Sequence, residues 1–147
     1  MDSWEYSVRK LLLRYSGQLI AVSTLPDELK RLELEYESIK TQNTDTTPVQ
    51  GGGTVYEDRL LSNIMKRDET SRALEMAEID IKRVDSALAS LTDVERHIID
   101  VKYIHHQRGA TERLMNELGY ENERSVQRRT KAALEKLSYA LYGRIEK

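Results

Sequence analysis

Cysteine and phenylalanine are absent from this chain of 147 residues, proline occurs twice and tryptophan once. Without cysteine there can be no disulfides and no thiolate metal sites, a composition that suits a reducing cytoplasm. Without phenylalanine the core must rest on Leu, Ile, Val, Ala and Met. Few prolines in a chain rich in Leu and Glu favour an all-α fold. Long apolar runs are missing as well. The nearest, LLLRYSGQLIAV, is interrupted by Arg14, Ser16, Gly17 and Gln18, so no membrane span and no signal peptide is expected. Sets of residues that do chemistry are also lacking. His97, His105 and His106 are the only histidines, and they do not fall at metal-ligand spacing. No Ser/His/Asp, Cys/His or metal–carboxylate arrangement can be assembled. The expectation is a protein that is not an enzyme, with no catalytic residues, no metal and no cofactor.

Charge is present but unevenly spread. The net charge is −2. Residues 107 to 147 carry nine Lys and Arg against six Asp and Glu, a balance of +3, and residues 1 to 106 carry fourteen against nineteen, a balance of −5. A positive end on an acidic chain points to nucleic acid. Because affinity for DNA grows with the number of phosphates neutralised, +3 per copy argues for a homodimer.

The richest pattern lies in Leu91 to Tyr142. Thr92 and Glu95 form a capping-box signature. Val94, Ile98, Ile99, Val101 and Tyr103 then give one helix a broad apolar face. A short helix follows from about Thr111, with Leu114, Met115 and Leu118 inward, and Gly119 suits its abrupt end. Asn122 or Ser125 can cap a third helix, whose apolar side is Val126, Ala133, Leu134, Leu137 and Leu141. Three helices with a tight last turn make a helix-turn-helix.

The opposite side of that third helix carries Arg124, Gln127, Arg128 and Lys131, with Arg129 beside them. Arg can bond guanine O6 and N7 together, and Gln can do the same for adenine N6 and N7. Arg124, Gln127 and Arg128 are therefore expected to read bases. Arg113, Arg129, Lys131 and Lys136 are expected to hold phosphates. An ordinary solvated helix face would show the same residue types.

The frame L-T-x-x-E-R-x-I-I, then L-x-x-x-L-G, then S-V-Q-R-R-x-x-x-A-L-x-K-L resembles the fourth region of bacterial sigma factors, which reads the minus-35 promoter element. From about Pro48 to Gly143 the chain is also similar to phage late transcription regulators of the RinA and ArpU type. The shared features are a glycine run, here Gly51 to Gly53 followed by Thr54, Glu57, Arg59 and Leu60, then a long helix and a sigma-like C-terminal head. The turn Gly119 to Glu123 is a residue longer than the commonest sigma-like turn. The resemblance implies an activator of late phage genes, those for packaging and virion structure. It would bind double-stranded DNA in the bacterial cytoplasm, with RNA polymerase as a candidate partner. Two alternatives stay open, a sigma-like polymerase subunit and a small terminase subunit. The first lacks the aromatic cluster of a minus-10-reading region. The second usually carries its DNA motif at the N-terminus.

Four segments follow. Residues 1 to 40 read as a helical pair, the first helix over residues 3 to 21 and the second restarting at Thr24 and Pro26, where Thr24 suits an N-cap and Pro26 the first turn. Residues 41 to 56 read as a flexible Gly-rich loop, without the lysine and hydroxyl that a phosphate loop needs. Residues 57 to 90 read as a long helix. Leu60 and Ile64 begin its apolar side. From Leu74 a heptad seam continues through Ala77, Ile81, Val84, Leu88 and Leu91, after a break at Arg67 and Ser71. That seam can pack on the N-terminal helices or join two subunits. Residues 91 to 147 read as the DNA-binding domain.

Overall fold

The computed structural model describes residues 3–44 and 52–143, and every regular element among them is helical. α1 is Ser3–Thr44 and α2 is Gly52–Ala89. α3 is Asp93–Ile99 and continues as a π-helical turn, Asp100–Ile104. α4 is Ala110–Leu118 and α5 is Glu123–Tyr142. The all-α reading holds. Of the glycine-rich segment, residues 45–51, with Gly51, lie outside the described residues, while Gly52 and Gly53 fall in the first turn of α2.

The expected N-terminal pair of helices is instead one. α1 runs through Pro26 without a break. A continuous seam explains this. Trp4, Val8, Leu11, Tyr15, Gln18, Val22, Leu25, Leu29, Leu32, Tyr36 and Ile39 alternate at four and three residues, and every one of them is buried or half-buried. That spacing keeps a single helical face toward a neighbour, and breaking the helix at Thr24 would turn half of it away. Thr24 does not cap. Its hydroxyl donates backward to the Ala21 carbonyl, and Ser23 donates to the Ile20 carbonyl. Proline removes the N–H that would bond the Val22 carbonyl four residues earlier, and the two hydroxyls donate to the carbonyls one and two residues before it.

α2 carries a matching seam in a register the sequence disguises. Tyr56, Leu60, Asn63, Arg67, Thr70, Leu74, Ala77, Ile81, Val84 and Leu88 are all buried or half-buried, again at fours and threes. Ile64, expected inside, stands exposed, and Asn63 takes its place at 1% exposure. The seam is not broken at Arg67. It is polar there, and it is spent within the chain.

Two compact units result. One is the start of α1, through Gln18, with everything from Ile79 onward, and the other is Leu19–Glu78. In the second unit the α1 and α2 segments run antiparallel. The Asn63 amide donates to the Leu32 carbonyl at 2.9 Å, and the Arg67 guanidinium lies 4.6 Å from the centre of the Tyr36 ring. Two of the seam's polar residues, Asn63 and Arg67, are thus engaged by α1. Buried apolar side chains are scarce in this unit; among its described residues they are Leu32, Ile39 and Ala77.

The first unit holds the larger core. Trp4, Val8, Leu11 and Leu12 of α1 pack with Val84, Ala87 and Leu91, with Ile99 of α3, and with Ala133, Leu134 and Leu137 of α5. A boundary at Leu91 would cut through this cluster, so residues 91 to 147 are not a separate body. Tyr15 donates to Asp85, and Gln18 donates to Asp80 at 2.7 Å, fixing α1 on α2. Burial and the Asp85 carboxylate push the Tyr15 phenol up to about 12. A second cluster, Ile98, Val101, Leu114 and Val126, joins α3, the π turn, α4 and α5.

Candidate nucleic-acid interface

α3 starts as its sequence requires. The Thr92 hydroxyl accepts from the Glu95 N–H at 3.3 Å, and Glu95 Oε1 accepts from the Thr92 N–H at 3.0 Å. Lys136 Nζ of α5 donates to the same Glu95 oxygen at 2.9 Å. Burial opposes the Glu95 charge, but the Lys136 ammonium and the Thr92 donors outweigh it and hold the carboxyl below its ordinary range. One carboxylate therefore caps α3 and ties α5 to it. Val94, expected on the apolar face, points to solvent.

The helix expected to run to Tyr103 changes character at Asp100. The π turn closes with the His105 N–H donating to the Asp100 carbonyl at 2.8 Å, while His105 Nδ1 lies 2.6 Å from Asp100 Oδ1. His106 Nδ1 meets the Lys102 carbonyl, and His97 meets Glu117 of α4 at 2.5 Å. Each histidine thus stabilises a different local contact. Among the described residues no cluster of metal-ligating side chains is found.

α4 begins at Ala110, a residue ahead of expectation, after Gly109 in the left-handed region at φ +68°. It ends at Gly119, φ +73°, whose N–H donates to the Met115 carbonyl. A side chain at either position would be strained. Four residues, Gly119 to Asn122, separate α4 from α5. Asn122, not Ser125, is the cap. Its side-chain oxygen accepts from the Ser125 N–H at 3.0 Å. This fixes the start of α5 at Glu123 despite the long turn.

From that start the side chains follow. Val126, Thr130, Ala133, Leu134, Leu137 and Ser138 are buried. The Thr130 hydroxyl satisfies itself on the Val126 carbonyl at 2.7 Å. On the other side Arg124, Gln127, Arg128 and Lys131 are exposed and share one face, spread over about two turns. Arg129 is exposed on a flank. None of these five has an ion-pair or side-chain hydrogen-bond partner among the described residues. They stand out from the other cations of this unit, many of which are engaged.

The remaining two expected phosphate contacts are not free in this way. Lys136 is held by Glu95. Arg113 of α4 donates to Glu117 at 2.6 Å and also bonds Gln107. Arg113, and after it His97, keep the Glu117 carboxyl below its usual range. Both cations remain exposed, but each must leave an intrachain partner to meet a phosphate. Glu121 and Glu123 are exposed beside the cap, and they limit how much anionic backbone that end of α5 attracts.

One cationic surface went unseen in the sequence. Tyr6, Arg9, Lys10, Leu13, Arg14, Lys102, Tyr103 and His106 line an open groove of about 540 Å³. Arg9 lies 5.6 Å from the Tyr103 ring centre. Burial, and then the charge of Arg9, lower the Lys102 pKa. The groove joins residues about ninety positions apart, and only their separate helical spacings were visible beforehand.

Comparison with protein-family models, with curated proteins and with solved structures finds no match to this chain.

Proposed function

We propose that this protein is a sequence-specific DNA-binding transcriptional regulator, with α4, its four-residue turn and α5 acting as a helix-turn-helix. α5 enters the major groove, where Arg124, Gln127 and Arg128 read base edges, and Lys131 and Arg129 bond phosphates. The observation that carries this reading is the unpartnered cationic and amide face of α5, backed by a helix side that is fully packed. Arg31 of α1, by contrast, is engaged by Glu28 and Glu35. On α5 the donors are left open over two turns.

The sequence resemblance to sigma-like heads of phage late regulators supplies the biological setting: activation of late packaging and structural genes in a bacterial host cytoplasm, with RNA polymerase as a candidate partner. The small local charge makes two copies per site the workable stoichiometry, since each adds its own phosphate contacts.

Selection of bound duplexes from a random pool tests the reading, followed by titrations with the selected and a scrambled duplex. Arg128→Ala is expected to cost about 1–3 kcal/mol on the selected duplex and to relax preference at one base position. Lys131→Ala is expected to weaken both duplexes alike and to reduce the salt slope by about one. No enrichment of any sequence, together with equal losses for both variants on both duplexes, overturns it.

A further inference from the structure

With the seam of α2 spent on α1, the outward side of α2 stands bare. Leu61, Ile64, Met76 and Ile79 are 57%, 44%, 66% and 58% exposed, values too high for residues packed within one chain. Met65 between them is exposed too. Asp68 and Arg72 complete the row, paired with each other at 3.4 Å and both open to solvent.

The order of this row is its informative property. Leu61, Ile64, Asp68, Arg72, Met76 and Ile79 are separated by 3, 4, 4, 4 and 3 residues. At about 100° per residue all six fall within an arc of roughly 120° on α2. For these six the spacing is the same in both directions, and so is the character: apolar, apolar, charged, charged, apolar, apolar; Met65 and Glu75, also exposed on this arc, lie equally far on either side of residue 70. The two charges are opposite. A second copy of the same helix, laid antiparallel with a two-fold axis beside residue 70, brings Leu61 level with Ile79, Ile64 with Met76, and Asp68 with Arg72. Symmetry then supplies each contact twice. A parallel copy would set Asp68 against Asp68 and Arg72 against Arg72, which is repulsive.

We infer that the outward face of α2 is a homodimer interface, with the α2 helices of two copies packed antiparallel about residue 70. The occupant is a second copy because the pattern is complementary to itself. The five exposed apolar side chains, with the stems of Asp68 and Arg72, would remove roughly 1,200 Å² from water in all, the lower limit for a specific interface. The dimer is therefore expected to dissociate in the micromolar range. The inference deepens the regulator reading by naming the face that joins its two copies, yet it stands on α2 alone and is tested without DNA.

Cysteine scanning suits a chain that has none. Leu61→Cys and Ile79→Cys are made separately in the full chain, mixed and oxidised. The mixture is expected to give a covalent dimer of twice 17.0 kDa, and neither variant alone to do so. Self-linking of Leu61→Cys, or no link in the mixture, overturns the antiparallel geometry. In sedimentation, Arg72→Asp is expected to weaken dimerisation about tenfold or more, because it faces Asp68 of the other copy with an acid. Asp68→Arg combined with Arg72→Asp restores opposite charges and is expected to recover the dimer. Circular dichroism on each variant separates loss of pairing from loss of helix. A wild-type chain that stays monomeric at millimolar concentration removes the proposal, whatever its behaviour toward DNA.

Discussion

Glu95 shows how much one buried carboxylate can organise. It is 4% exposed, yet it caps α3 and holds Lys136 of α5. Its pKa is held below the ordinary value in the folded chain. Its contribution is therefore present above the unfolded value, about 4.5, and fades as pH falls through the lower folded one. Glu117, lowered by Arg113 and His97, acts in the same direction at an exposed position. Stability of the unit that carries α5 is expected to drop below about pH 4.5, measured as the urea midpoint from pH 7 to pH 3. Glu95→Gln keeps an acceptor for the Thr92 N–H but loses the ion pair with Lys136. It is expected to cost about 1 kcal/mol at pH 7 and to flatten the pH dependence. An unchanged acid transition would show that the carboxylate is not a stabilising link.

At the scale of elements, Pro26 is the informative case. A proline inside a helix costs about 3 kcal/mol when neighbours cannot adjust. Pro26→Ala is expected to raise the stability of the Leu19–Glu78 unit by about 1–3 kcal/mol. Amide exchange between residues 19 and 30 should slow accordingly, and faster exchange would mean that the proline sets a needed bend. The same element shows what was legible in advance. The capping box, the Gly119 stop, the Asn122 cap and the two faces of α5 were readable because each depends on residues a few positions apart. The continuous α1 was not, because a local proline signal competes with a seam that emerges only when Gln18 and Val22 are counted as inward. The α2 register was hidden for a related reason. Arg67 and Ser71 read as a break, and Asn63 and Thr70 do not read as inward, until Leu32 and Tyr36 are known to receive Asn63 and Arg67. Of the seven residues expected to meet DNA, all are exposed. The engagement of Lys136 and Arg113 depends on Glu95, Glu117 and Gln107, and no spacing rule weighs those pairs against a phosphate.

For the molecule as a whole, the first helix and the last are parts of one core. Trp4, Val8, Leu11 and Leu12 cover Ala133, Leu134 and Leu137. A fragment from Leu91 to Lys147 would expose that apolar surface and is expected to lack a cooperative thermal transition. Adding a peptide of residues 1–18 should not restore it, since Val84 and Ala87 of α2 belong to the same cluster. A fragment that melts cooperatively and binds the selected duplex as the full chain does would contradict this.

Such an arrangement bears on synthesis. A ribosome delivers Trp4 long before Leu137, so the scaffold beneath α5 cannot close until synthesis has passed Leu137. A product terminated before Leu137 would then leave the exposed cationic face of α5 without the packed side that backs it.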